Sequence, residues 1–392
     1  MSVFAAVMTG KGTGAISTIQ VFGDAAEAIV KKIFKPASDK PATLKPGNIL
    51  LGKIIDDAET IDQVTIACEE PDGFAINCHG NPLIVADIMQ LLAKHGAELI
   101  STEKLLAKTL AAQEPANTIA LEAKLTQPKA RTIEGTKIII NQIDAGLSSK
   151  ATQWLRNINT ISLRQIKADA VQILSHSQTA KLIITGCTAA ITGPPNSGKS
   201  TLLNYLSGRQ KAIVTDIEGT TRDWVSARCK IGPLSVEIID TAGLDEKLKA
   251  TPEDTLKKAS QQKTVEILEN ADLVLLVLDS SKTADQLDDR LLKKIAGKKL
   301  LTILNKSDLP DRLDTAKLPK ILRDPVQISA KLGTGIENLV KKIPQICDAA
   351  EFDIQQPVCI TARQQNLLKQ LQKAKSKQHA ASIITELLNG QL

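Results

Sequence analysis

Residues Gly193-Pro-Pro-Asn-Ser-Gly198-Lys199-Ser200 complete a GxxxxGK[ST] pattern between an apolar run, Ala189–Thr192, and the helix-forming stretch Thr201-Leu-Leu-Asn-Tyr-Leu. That context requires a strand, a tight loop and a helix in succession. The glycines let backbone N–H groups close around a phosphate, and the helix N-terminus adds its partial positive charge. Lys199 is expected to reach the β/γ-phosphates and the Ser200 hydroxyl to ligate magnesium. Asn196, Ser197, Gly198 and Thr201 complete the expected phosphate grip.

Four further motifs follow in order, three of them at the ends of apolar runs. Asp240-Thr241-Ala242-Gly243 follows Val236–Ile239, where the Asp holds the magnesium shell and the Gly243 N–H senses the γ-phosphate. Between the two lies Thr215-Asp216-Ile217-Glu218-Gly219-Thr220-Thr221, a switch loop in which Thr221 closes over the metal. Asn305-Lys306-Ser307-Asp308 ends the run Leu300–Leu304, and its carboxylate accepts from guanine N1–H and the exocyclic amine, a pair adenine does not offer. Ser329-Ala330-Lys331 closes the base pocket after Val326–Ile328. This succession predicts a hydrolase acting on GTP, with Lys199, Thr221 and Gly243 in catalysis and magnesium on Ser200 and Thr221.

Around the motifs, Ala189–Thr192, Val236–Ile239, Leu273–Leu278, Leu300–Leu304 and Val326–Ile328 alternate with helical stretches, the pattern of a mostly parallel covered sheet. Before it, Ala15–Phe22, Asn48–Ile55 and Val64–Cys68 read as strands and Pro82–His95 as a helix, an α+β pattern. Leu163, Ile166, Ala170 and Ile173 recur at helical spacing, and helical character returns after Pro357. The expected fold is therefore an α/β P-loop G domain (187–348) inserted in an all-helical domain (106–186 and 349–392), preceded by a small α+β domain (1–105).

Charge and cysteine usage narrow the setting. Residues 124–181 carry nine Lys/Arg against three acids, and 359–379 carry five and none, a pattern that suits phosphate backbone as well as solvated helix faces. Aromatics are 2% of the chain, too few for base-stacking platforms. Six scattered cysteines without a CxxC pair suit reduced thiols in a cytoplasmic protein, and no apolar run is long enough to span a membrane.

Two resemblances refine the reading. Leu244 stands where Ras-like enzymes place a water-orienting glutamine. With Asn196 in the P-loop and the Thr215–Thr221 loop, the chain resembles potassium-activated GTPases, which implies a K+ site on Asn196, Thr215, Ile217 and Thr220. Over 212–223 (AIVTDIEGTTRD), 238–244 (IIDTAGL), the 12–23 stretch, Asn77-Cys78-His79-Gly80-Asn81-Pro82 and Thr361-Ala362-Arg363, it is similar to the MnmE (TrmE) family of tRNA-modification GTPases. That resemblance implies wobble-uridine modification on tRNA with an FAD-dependent MnmG-like partner, a homodimer formed through the N-terminal domain, and a formyl-tetrahydrofolate site.

The sequence also departs from the family pattern. The folate-site arginine falls at Gln20 and an acidic position at Ala75, which puts folate binding in doubt. The family's Cys-Ile-Gly-Lys tail is replaced by Leu387-Leu-Asn-Gly-Gln-Leu392, and Glu253 is the candidate for the switch glutamate, with Asp254 beside it. His79 reads as a turn residue after a strand, and Cys78 as packing. A GTP-gated RNA-binding or assembly factor without modification chemistry stands as the alternative. An Era-type ribosome-assembly switch agrees less well with the N-terminal motif and the interrupted helical domain.

Overall fold

The computed structural model describes residues 2–10, 12–38, 44–112, 117–209, 226–241, 264–287 and 289–390, which cluster into two compact units, Met1–Ala116 and Asn117–Leu392. In the first unit β1 (Val3–Val7), β2 (Ile16–Phe22), β3 (Phe34–Pro36), β4 (Ile49–Asp56), β5 (Glu59–Glu70), β6 (Gly73–His79) and β7 (Ala97–Leu99) form one sheet in the order β3-β4-β5-β6-β2-β1-β7. All neighbours are antiparallel except β1 and β7. Strand β5 alternates: Asp62, Val64, Ile66 and Cys68 are buried while Gln63 and Glu69 are exposed. Helices α1 (Ala26–Ile33) and α2 (Pro82–Lys94) cover the apolar face, where Ile29, Ile33, Ile88 and Leu92 meet Val64, Ile66, Phe74 and Ile76. Helix α3 (Thr102–Ala112) ends the unit, with Thr102 Oγ1 donating to Val7 O at 2.8 Å.

The expected strands and α2 are present, each shifted by a few residues, and the sheet adds β1, β3, β6 and β7. Strand β6 lies between two neighbours and is buried along most of its length, so Gly-Phe-Ala-Ile-Asn-Cys-His carries no period-two signal.

In the second unit the six-stranded sheet comprises β8 (Cys187–Thr192), β9 (Ser226–Ile231), β10 (Leu234–Asp240), β11 (Leu273–Asp279), β12 (Leu300–Asn305) and β13 (Val326–Gln327). Its order is β13-β12-β11-β8-β10-β9, parallel but for the β9–β10 edge pair. Every residue of β11 is buried, as befits the interior of a sheet covered on both faces. Helices α8 (Lys199–Arg209) and α9 (Ile336–Ile346) pack on it through Leu202, Leu206, Leu339 and Ile343.

Before β8 run α4 (Thr118–Thr126), α5 (Ile133–Asp144), α6 (Gly146–Arg156) and α7 (Leu163–Thr185), and after α9 come α10 (Ala362–Gln372) and α11 (Lys377–Asn389). These share a core: Leu147, Trp154, Ile166 and Ala170 from the first group pack with Leu367, Leu371, Ile384 and Leu387 from the second. Polar bonds stitch the two groups together. Cys359 N donates to Ser177 Oγ at 2.8 Å, and Gln142 Oε1 accepts from Val358 N at 3.0 Å. Buried Glu122 accepts from Arg363 Nε (3.0 Å) and Nη2 (2.9 Å), Thr361 Oγ1 (2.6 Å) and Gln364 Nε2 (2.6 Å). The same guanidinium caps α11, donating to the carbonyls of Glu386 and Leu387 in its last turn, where Glu386 O also accepts from Gly390 N at 2.8 Å.

Candidate nucleotide site

The carboxyl ends of β8, β10, β11 and β12 converge, and the candidate residues sit in the turns that leave them. Beyond β8 the chain turns sharply at Gly193 (φ 143°), where a Cβ would lie 2.1 Å from Val277 O, so only glycine fits. At Gly198 (φ 94°) a Cβ would meet Asn305 Nδ2 at 2.2 Å. Asn196 between them also has positive φ, 61°, a conformation asparagine tolerates better than most residues.

Helix α8 begins at Lys199, whose Nζ donates to Gly193 O (3.0 Å) and Pro194 O (2.8 Å). Its ammonium is thereby curled over the loop it is meant to serve. Ser200 Oγ donates to Asp240 Oδ2 at 2.7 Å, which brings the candidate metal ligand and the carboxylate at the end of β10 together. Both are oxygen donors at a helix N-terminus, a set that suits a hard divalent cation. The Ser197 hydroxyl is buried with no hydrogen-bond partner among the described residues, an unmet polar atom inside the loop. Thr201 is exposed on the first turn of α8. Thr241 turns inward, its Oγ1 bonding Ile191 O at 2.9 Å, so its side chain ties β10 to β8.

At the base end, Asp308 Oδ1 accepts from the fully buried Ser329 hydroxyl at 2.6 Å. That bond, with the local backbone and the charges of Lys331 and Lys306, holds the Asp308 carboxyl below the usual range, so it is an anion ready to accept. Asn305 has another role. Its Nδ2 donates to Ser197 O (2.8 Å) and its Oδ1 accepts from Ala330 N (2.9 Å), so one buried amide joins the P-loop to the base-reading turn. Lys306, at φ 66°, places Nζ 2.7 Å from Asp279 Oδ2.

Asp279 escaped the sequence reading, although a carboxylate ending the wholly apolar run Leu273–Leu278 was a usable signal. Burial alone would push its carboxyl up, but bonds from Lys306 and Ser281 outweigh that and hold it down. Thr215, Asp216, Ile217, Glu218, Gly219, Thr220, Thr221, Ala242, Gly243, Leu244 and Glu253 lie outside the described residues.

In the first unit, Gln20 on β2 stands opposite Ala75 on β6. Gln20 Nε2 donates to Glu69 Oε2 at 3.0 Å, and Ala75 is buried. Among the described residues no group of His, Cys, Asp and Glu side chains could hold a metal ion, and no helix is long and apolar enough to cross a membrane.

A family described as "50S ribosome-binding GTPase" matches residues 188–306, and one described as "GTP-binding protein TrmE N-terminus" matches 3–102. The tRNA modification GTPase MnmE of Acetivibrio thermocellus is 31% identical over 93% of this chain and 86% of its own. That of Enterococcus faecalis is 30% identical over 87% of this chain and 80% of its own. The solved FeoB G domain of Methanococcus jannaschii is 26% identical over 42% of this chain and 98% of its own, at a TM-score of 0.31.

Proposed function

Since the chain belongs to the MnmE family of tRNA modification GTPases, we propose that it couples GTP binding and hydrolysis at the convergent strand ends to modification of tRNA at the wobble uridine. It is a GTP-binding hydrolase acting on GTP. The observation that carries the residue assignment is the joint placement of Ser200 against Asp240 and of Ser329 against Asp308 in turns linked by Asn305. In this reading Asn196, Ser197, Gly198 and Lys199 grip the phosphates, with Lys199 exchanging the loop carbonyls for phosphate oxygens, while Asp308, Ser329, Ala330 and Lys331 enclose guanine. The oxygens of Ser200 and Thr221 would hold magnesium, which neutralises charge on the transferring phosphoryl group. Direct competition between GTP and ATP tests the assignment, and preference for ATP would refute it.

A second cation belongs to the same proposal. With leucine at 244, charge neutralisation beside the phosphates falls to K+, held by Asn196 with Thr215, Ile217 and Thr220. The place of Asn196 inside the loop, in a left-handed conformation (φ 61°) that asparagine tolerates, supports this. Hydrolysis is expected to be faster in potassium than in sodium at matched ionic strength. Asn196→Ala is expected to abolish most of that difference while GTP still binds. Equal wild-type rates in both salts would count against the cation.

The helical segments on either side of the sheet, joined through the shared core of Trp154 and Leu387, support a helical domain interrupted by the G domain. Its basic stretches are the proposed tRNA surface, and an MnmG-like flavoprotein and a second copy of the chain are the proposed protein partners. The GTP-gated assembly factor without modification chemistry is not favoured, because the match runs through the N-terminal domain as well as the G domain. Restoration of wobble modification in a strain lacking its own enzyme decides between them.

Folate does not fit the site as it stands. Gln20 lacks the charged fork an arginine offers a carboxylate, and the Ala75 methyl accepts nothing. The nearby carboxylate, Glu69, comes from β5 and is already engaged by Gln20. Each unpartnered polar group of a buried pterin costs about 1–3 kcal/mol. Calorimetric titration with formyl-tetrahydrofolate is expected to give no binding in the micromolar range, and micromolar affinity would overturn this inference.

A further inference from the structure

The GTP site does not employ the histidine that ends β6. His79 Nδ1 lies 2.7 Å from Asp62 Oδ1, and the His79 backbone N–H donates to Asp62 Oδ2 at 2.8 Å. Gln63 N donates to the same carboxylate at 2.8 Å. The Asp62 side chain is 7% exposed and the His79 side chain 67% exposed, so a buried carboxylate presents an open imidazole. A carboxylate only accepts, so Nδ1 is the nitrogen that carries the proton, and Nε2 keeps its lone pair on the outward side. No other described histidine pairs with a described carboxylate.

The surroundings suit proton transfer. Gly14 N donates to Gly80 O (3.0 Å) and Gly80 N to Ala15 O (3.2 Å), pinning the loop between β1 and β2 beside the turn that follows His79. A Cβ on Gly80 would lie 2.3 Å from Gly14 O, whereas Cβ atoms on Gly10 and Gly12 would meet nothing within 4 Å. The anchor of the loop at Gly80 is therefore tight. Cys78, next in the chain, is no rival: burial and the Asp62 charge push its thiol up and keep it neutral. A turn residue alone would not need this arrangement, since the two backbone N–H bonds to Asp62 hold the turn without the ring.

We propose that His79 is a catalytic acid–base group of the modification reaction, distinct from the GTP site, with Asp62 as its positioning residue. This rests on the proposed tRNA modification role. The role is proton transfer alone: Nε2 takes the proton from an N–H or O–H of a reactant as that bond breaks, the electron pair stays on the nitrogen or oxygen, and the imidazolium later returns the proton to water.

The test compares wild type, His79→Gln and Asp62→Asn in a strain lacking its own enzyme, with modified wobble nucleoside measured in bulk tRNA. Each variant is expected to lose at least about tenfold in modification rate, while GTP turnover of the purified proteins stays within about twofold. Nitrogen NMR of the purified chain is expected to show the Nδ1–H tautomer at His79, and Asp62→Asn to shift it toward Nε2–H. Wild-type modification by His79→Gln would overturn the assignment alone, as would an Nε2–H tautomer in the wild type. A wild-type chain that restores no modification would refute the functional reading and this assignment with it.

Discussion

Asp308→Asn is expected to weaken GTP binding by roughly tenfold or more and to admit xanthosine nucleotides. The carboxylate offers two acceptor oxygens to the two N–H groups on the guanine edge, and losing a hydrogen bond to a charged group has an effect of that order. Asparagine keeps one acceptor and adds a donor, which repels guanine N–H but suits the extra carbonyl of xanthine. The Ser329 hydroxyl, 2.6 Å away, still has an acceptor in the amide, so the turn should keep its shape. Fluorescent-nucleotide displacement with GDP and XDP measures both halves. A variant that binds GDP as tightly as wild type would remove Asp308 from base recognition.

Arg363→Ala is expected to be the most destabilising of the single changes considered, at about 3–5 kcal/mol, because it leaves the Glu122 charge buried. Glu122 is 3% exposed and would retain only Thr361 and Gln364 as donors. The carbonyls of Glu386 and Leu387 would lose the guanidinium at the same time, Glu386 O keeping only the Gly390 N–H. Lysine should not rescue the site, since a point charge cannot fork to both carboxylate oxygens and two carbonyls. Pairing Arg363→Met with Glu122→Gln should recover part of the loss by removing the stranded charge. Urea denaturation followed by far-UV circular dichroism reads these differences. A single Arg363→Ala change within 1 kcal/mol of wild type would show that the network contributes little.

What the sequence made legible was local in the chain. Lys199, Ser200, Asp240 and Asp308 stand in short motifs whose spacing dictates a turn after a strand, and the turns after β8 and β12 are there. Partnerships between distant residues left no such trace. Asp279 and Lys306 are 27 positions apart, Asp62 and His79 are 17 apart, and Glu122 and Arg363 are 241 apart. Each pair meets only once the strands or helices are assembled, so a lone carboxylate or a post-strand histidine looked ordinary. Strand β6 was missed for a related reason: it is buried on both faces along most of its length, which erases the alternation a half-exposed strand such as β5 shows. Nothing in the spacing of its motif announces that the Asn305 amide spans Ser197 and Ala330.

That span matters to anyone who would redesign the pocket. The Asp308 carboxylate is held by Ser329 rather than by the Asn305 amide, so in the proposed reading nucleotide preference is expected to be rewritable there as a self-contained part. Asn305 is a shared joint instead. Any residue without both an amide donor and an amide acceptor at 305 would disconnect the phosphate end from the purine end, and specificity and grip would then fail together.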